Sequence, residues 1–140
     1  MYQIERKDKL SQQEQNTIWD GIEAFSQTKV PATGRQELAF VLRDREGLLI
    51  GGVIGNYENS GWLWIDSLWV SADLRGQGYG IRLLDKIETE ARLHGCEHSH
   101  LTSFSYQAVD FYKRQGYRVF GELEDYLPGH SRCWLRKNLV

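Results

Sequence analysis

A glycine-rich turn, Arg75-Gly76-Gln77-Gly78-Tyr79-Gly80, stands between two strongly patterned segments. Before it runs the nearly continuous apolar stretch Trp62-Leu63-Trp64-Ile65-Asp66-Ser67-Leu68-Trp69-Val70; after it, Ile81, Leu84, Ile87 and Ala91 recur at helical spacing. An apolar run of this length reads as a buried strand, so the segment is strand, turn and amphipathic helix. The glycines let the backbone approach an anion, and the unpaired N–H groups of the first helical turn point at it. Arg75 adds a charge-assisted contact. In a helix interior each glycine costs about 1 kcal/mol relative to Ala, so a cluster of them at a helix start calls for a ligand.

The remaining pattern surrounds this unit with strands. Tyr2 to Glu5 reads as a short first strand, and Ser11-Gln12-Gln13-Glu14 as a capping box opening a helix whose apolar face is Ile18, Ile22 and Phe25. Pro31 and Gly34 follow in a breaker segment. Glu37–Arg43, Leu48–Asn56 and Trp62–Val70 read as three antiparallel strands joined by turns at 44–47 and 58–61. Beyond the helix, Ser99–Phe104 is a strand that a right-handed crossover makes parallel to Trp62–Val70. Gln107–Gln115 is a short helix closed by Gly116, and Tyr117–Leu123 and Arg132–Leu139 are two strands joined by a long acidic loop. The order is β-α-β-β-β-α-β-α-β-β, an α/β fold with a mixed, mostly antiparallel sheet and a central parallel strand pair.

With 140 residues the chain is expected to form a single domain. Its formal net charge of -2 argues against a nucleic-acid surface, and no apolar run reaches the roughly 18 residues of a membrane span. Cys96 and Cys133 form no disulfide framework, which points to a cytoplasmic setting. The cluster His94, Cys96, His98 and His100 matches no structural zinc spacing, so no metal is expected. No Gly-x-Ser-x-Gly elbow and no cysteine ahead of a helix suggests covalent catalysis.

The glycine turn is not a dinucleotide fingerprint, because position 81 is Ile, nor a P-loop, because Gly80 is followed by Ile81 and Arg82. Arg-x-x-Gly-x-Gly resembles the acyl-coenzyme A pyrophosphate loop of the GNAT N-acetyltransferase superfamily. Leu68-Trp69-Val70, Leu74 to Gly80 and Leu83-Leu84 are similar to that family's fourth strand, loop and third helix. Ala108-Val109-Asp110-Phe111-Tyr112-Lys113-Arg114-Gln115-Gly116-Tyr117 is similar to its last helix and the strand after it. The resemblance implies acetyl-coenzyme A as donor and direct transfer to a primary amine. It assigns Leu68, Trp69, Val70, Arg75, Gly76, Gln77, Gly78, Tyr79, Gly80, Ala108 and Phe111 to the coenzyme. Where many members carry Asn to hold the pantetheine arm, this chain has Ser105, with Gln107 nearby. Tyr112 takes the position that donates a proton to the departing thiolate. A backbone N–H at Trp69 or Val70 meets the charge on the carbonyl oxygen.

An alkylamine of pKa about 10.4 costs roughly 4.6 kcal/mol to deprotonate at about pH 7. Asp66, the one carboxylate in its apolar run, is the candidate base, on the expectation that burial raises its pKa. Glu58 and the cluster Glu122, Glu124 and Asp125 are weaker candidates. Trp62 and Trp64 share strand parity while Trp69 points the other way, so the first two pack together or line a wall for a cationic or aromatic amine. The acceptor is expected to be a small-molecule amine. A protein lysine or N-terminal acetyltransferase is the alternative within the class, and a non-catalytic acyl-coenzyme A sensor outside it. The resemblance also allows a homodimer through the last strands.

Overall fold

The computed structural model describes residues 1–31 and 34–140. The chain divides into two compact units, within residues 1–33 and 34–140. The breaker segment expected from Pro31 to Gly34 includes Ala32 and Thr33, which lie outside the described residues.

The first unit carries one helix, α1 (Gln12–Gln27). Its capping box forms as the sequence specifies: Glu14 N–H donates to Ser11 Oγ at 3.1 Å, and Ser11 N–H donates to Glu14 Oε1 at 2.9 Å. The strand expected over Tyr2–Glu5 is not there; residues 1–7 are irregular, and Tyr2 and Ile4 are fully exposed. Two apolar residues in four give a strand too little burial to offset the entropy of ordering it.

In the second unit β1 (Gln36–Arg43), β2 (Leu49–Tyr57) and β3 (Trp62–Val70) form an antiparallel meander. A short 3-10 turn and the glycine loop lead into α2 (Tyr79–Leu93), which returns the chain to β4 (His98–Phe104), parallel to β3. Then come α3 (Val109–Arg114), β5 (Arg118–Leu127) and β6 (His130–Asn138). The six strands lie in the order β1-β2-β3-β4-β6-β5, a mixed sheet with one parallel pair. The acidic loop expected before the last strand is instead part of β5. Pro128 and Gly129 make the whole connection, with Leu127 opposite His130, and Glu122, Glu124 and Asp125 stand on the exposed edge strand. Proline fixes its own φ and Gly129 takes φ 77, so two residues suffice to reverse the chain.

One sheet face holds the core. Leu84, Ile87 and Ala91 of α2 and Tyr112 of α3 cluster with Val53, Leu63, Ile65, Leu101 and Leu135 from four strands. Within it Glu88 is 1% exposed and fully engaged: Tyr117 Oη donates to one carboxylate oxygen at 2.7 Å and Lys137 Nζ to the other at 2.8 Å. A buried carboxylate is tolerated when both oxygens are bonded and a cation is paired with it. The opposite face carries Trp62 with His98 stacked on it, His100 meeting it edge-on and Arg136 over its ring. Among the described residues no helix is long and apolar enough to cross a membrane.

Candidate active site

Two backbone irregularities create the site. The first is where the β3–β4 ladder stops: pairing covers only Trp62 with His98, Leu63 with Ser99 and Trp64 with His100. Beyond these the strands part, β3 running on to Val70 and β4 to Phe104. The second is a bulge opposite the parting. In the β2–β3 register Ile54 faces Ser67 and Gly55 faces Ile65, so Asp66 is the extra residue. Gly55 is required there, since a Cβ at that position would sit 2.5 Å from the Trp64 carbonyl and 3.0 Å from Ile87 Cδ1.

The bulge shifts strand parity by one residue. Leu63 and Ile65 point into the core before it, and Leu68 and Val70 pack against the core after it. Trp69 therefore emerges on the face of Trp62 and Trp64, 50% exposed, which corrects the parity expected from simple alternation. Asp66 is itself exposed, contrary to the burial expected for it from its apolar run. Ser71 N–H donates to the Ile50 carbonyl in β2 at 2.9 Å. Alternation along the strand then turns the Trp69 amide toward β2 and the Val70 amide toward the open side. The Val70 carbonyl on that side accepts from Arg75 Nε at 3.2 Å.

The glycine loop follows directly. Gly76 has φ 76 and Gly78, the N-cap of α2, has φ 89, both in the region that favours glycine. A Cβ at either would meet nothing within 4 Å, so the loop faces open space. Arg82 N–H makes the first helical bond, to the Gly78 carbonyl at 3.1 Å, leaving the amides of Tyr79, Gly80 and Ile81 directed outward from the helix end. They open on a cavity of about 630 Å³ between this loop and α3. Its wall includes Leu68, Trp69, Val70, Arg75, Gly76, Gly78, Tyr79, Gly80, Gln107, Ala108 and Phe111, all expected from the sequence. It also includes Tyr106 and Arg114, which sequence reasoning missed. Arg75, Arg114 and an α-helix N-terminus around one opening suit a polyanion such as a pyrophosphate.

A smaller cavity of about 240 Å³ fills the gap between the parted strands. Asp66 and Ser67 line it from β3, Thr102 and Ser103 from β4, and Tyr112 from α3. Leu68, Gln107 and Ala108 belong to both cavities, so the two meet where the strands part. Tyr112 is 7% exposed, and burial pushes its phenol up to about 12.

Two expected residues face elsewhere. The Gln77 amide donates to the Asp73 carbonyl at 3.2 Å, and the Ser105 hydroxyl accepts from the Ser131 N–H at 3.0 Å; neither residue lines either of these two cavities. Gln107 does line both, while its Oε1 accepts from the Phe104 N–H at 2.9 Å. Glu58, Glu122, Glu124 and Asp125 line neither. Cys96 and Cys133 are buried outside both cavities, and desolvation raises the pKa of each thiol. His94 sits at the C-terminus of α2 beside Glu90, with Nε2 3.2 Å from Oε1, and stacks on Tyr57.

Known proteins share this architecture. The profile of the Acetyltransferase (GNAT) family matches residues 1–117. Blasticidin-S acetyltransferase of Streptomyces morookaense is 42% identical over 94 residues, covering 66% of this chain and 68% of that protein. An acetyltransferase of Agrobacterium fabrum is 29% identical over 123 residues, covering 88% of this chain and 89% of the other. The crystal structure of an acetyltransferase from Bacillus cereus superposes with a TM-score of 0.87 at 34% identity, covering 96% of this chain and 97% of that one.

Proposed function

The chain belongs to the Acetyltransferase (GNAT) family and is an acetyl-coenzyme A-dependent acyltransferase, and from that premise we propose that it acts as one domain over residues 1–140 and transfers acetyl directly to a primary amine of a small molecule. The observation that carries this reading is the meeting of two cavities at the parted strands. The larger fits a long anionic donor with its pyrophosphate on residues 75–80. The smaller admits an acceptor to the same point from the other side. At about 240 Å³ it has room for an amine-bearing group of a few heavy atoms. The blasticidin-S acetyltransferase among its relatives is consistent with a small-molecule acceptor.

The chemistry asked of the protein is modest. One N–C bond forms, one C–S bond breaks, and one proton leaves nitrogen while one reaches sulfur. The Val70 N–H, turned to the open side, serves the carbonyl oxygen as charge gathers there. Asp66, exposed on the cavity wall, takes the amine proton directly or through water. Tyr112 stays protonated and offers its hydroxyl to the sulfur. Complete transfer from a phenol of pKa about 12 to a thiolate of pKa about 8.5 would run uphill by about 5 kcal/mol. Its contribution is therefore a hydrogen bond that strengthens as the C–S bond breaks, and the sulfur receives the one proton lost by nitrogen after it has passed through Asp66 or water.

Thiol release from acetyl-coenzyme A, measured against polyamines, aminoglycosides, amino acids and lysine peptides, tests the reading. Turnover with a small amine and none with the peptides is expected. Tight coenzyme binding without turnover of any amine would instead identify a sensor.

A further inference from the structure

Arg132 lies on β6 opposite Phe104 of β4, on the sheet face turned away from the core. Its guanidinium sits among three rings, with centroids 5.7 Å away at Phe104, 5.4 Å at Tyr126 and 5.2 Å at Trp134. Its hydrogen bonds are long: Nη1 donates to Tyr126 Oη at 3.3 Å and Nη2 to Thr102 Oγ1 at 3.4 Å. The Nε–H is buried and has no partner. Among the described residues Arg132 enters no ion pair, whereas Lys137 and Arg92 converge on Glu88.

Aromatic stacking satisfies the faces of a guanidinium, but its five N–H donors lie in the plane and point past the rings. A half-buried fork with no counter-ion is costly to keep and is shaped for a planar, two-oxygen anion. Arg132 lines neither cavity itself but stands one contact away from the smaller one. Thr102, which Arg132 touches, lines the smaller cavity together with Tyr112, and Asp66 lines it from β3 across the gap. A positive fork on the β4–β6 side and a carboxylate on the β3 side match the two ends of a zwitterion.

We propose that Arg132 anchors a carboxylate of the acceptor, so that the amines this enzyme takes are amino acids or other amines that carry an acid group. The proposal rests on the acetyltransferase reading and narrows its acceptor. Arg132 is a specificity residue in this account; the reacting atoms are handled elsewhere.

Matched acceptors that differ only in the acid group test it, such as phenylalanine against phenethylamine and alanine against ethylamine, with thiol release from acetyl-coenzyme A as the readout. The wild-type protein is expected to prefer the acid-bearing member of a pair by about tenfold to a hundredfold in kcat/KM, chiefly through KM. Arg132→Met, which keeps bulk over the rings, should bring the two members together. Arg132→Lys, which keeps charge but not the fork, should recover only part of the preference and serves if the methionine variant does not fold. Equal or better use of the acid-free amine by wild type, or a preference that survives both substitutions, overturns the anchor while leaving acetyl transfer standing. No amine-dependent thiol release with any compound, these pairs or the wider panel, would sink the transfer reading and the anchor with it.

Discussion

In Tyr112 burial meets the role proposed for the side chain. The same desolvation that pushes its pKa to about 12 keeps its proton in place across the working pH range. Replacing it with Phe would remove the hydrogen bond to sulfur proposed for it and little else, because the ring still packs against Phe111 and Tyr117. Tyr112→Phe is expected to lower turnover by about tenfold or more while coenzyme A affinity, measured calorimetrically, stays within about twofold. Equal turnover would end its assignment as donor. In the wild type, the donor form persists as pH rises through 10, where an ordinary phenol is half ionised. The kcat profile should therefore show no loss near pH 10 attributable to this residue. Site residues close together in the chain, such as Arg75 and Gly78, could be read from the sequence because their chemistry is local. Arg114, Tyr106 and Thr102 could not, since they join the cavity walls only through tertiary packing. Asp66 was readable as a candidate, but its exposure was not, because a one-residue bulge leaves no mark in the apolar pattern.

The glycine loop and the bulge make different demands on glycine, and two substitutions separate them. At Gly78 a Cβ meets only open space, so Gly78→Val strains φ without crowding the core. It also pushes a branched side chain into the room an anion would occupy. The variant is expected to fold, with a normal far-ultraviolet spectrum, and to lose coenzyme A binding; unchanged affinity would remove the loop from the site. At Gly55 the added carbon would collide with the Trp64 carbonyl and Ile87. Gly55→Ala should destabilise the protein by about 1–3 kcal/mol, read from denaturant unfolding, because β2 and β3 must move apart to admit it. Elements with strong periodicity were legible almost to their ends: the Trp62–Val70 strand is found with the bounds expected. The last hairpin was not, because its turn needs only Pro128-Gly129 and the acidic residues before it look like loop when they in fact edge a sheet. Charged edge strands discourage pairing with other chains, which explains acidic residues in a β segment.

Within residues 34–140 one buried network ties α2 to one side of the sheet. Glu88 joins α2 to Tyr117 at the start of β5 and to Lys137 on β6, while Tyr117 Oη also lies 2.7 Å from Ser99 Oγ on β4. These bonds pin the helix whose N-terminus faces the larger cavity, so the network helps to hold that cavity's wall in place. Sequence patterning gives the order of strands but not such long-range pairs, which depend on register. One consequence of the short β3–β4 ladder concerns time rather than geometry. Amides in the middle of a sheet normally exchange with solvent deuterium last, only when the domain opens as a whole. Here β3 has neighbours on both sides, yet beyond Trp64 its side facing β4 is unpaired, and the Val70 amide points into the gap. In the free protein that amide should exchange orders of magnitude faster than those of Leu63 or Leu101, and slow once the gap is filled. A central strand thus becomes a reporter of occupancy, and its labelling rate can time the arrival and departure of each ligand. If Val70 proves as slow as Leu63 in the free protein, the ladder closes in solution and the shared opening between the cavities closes with it.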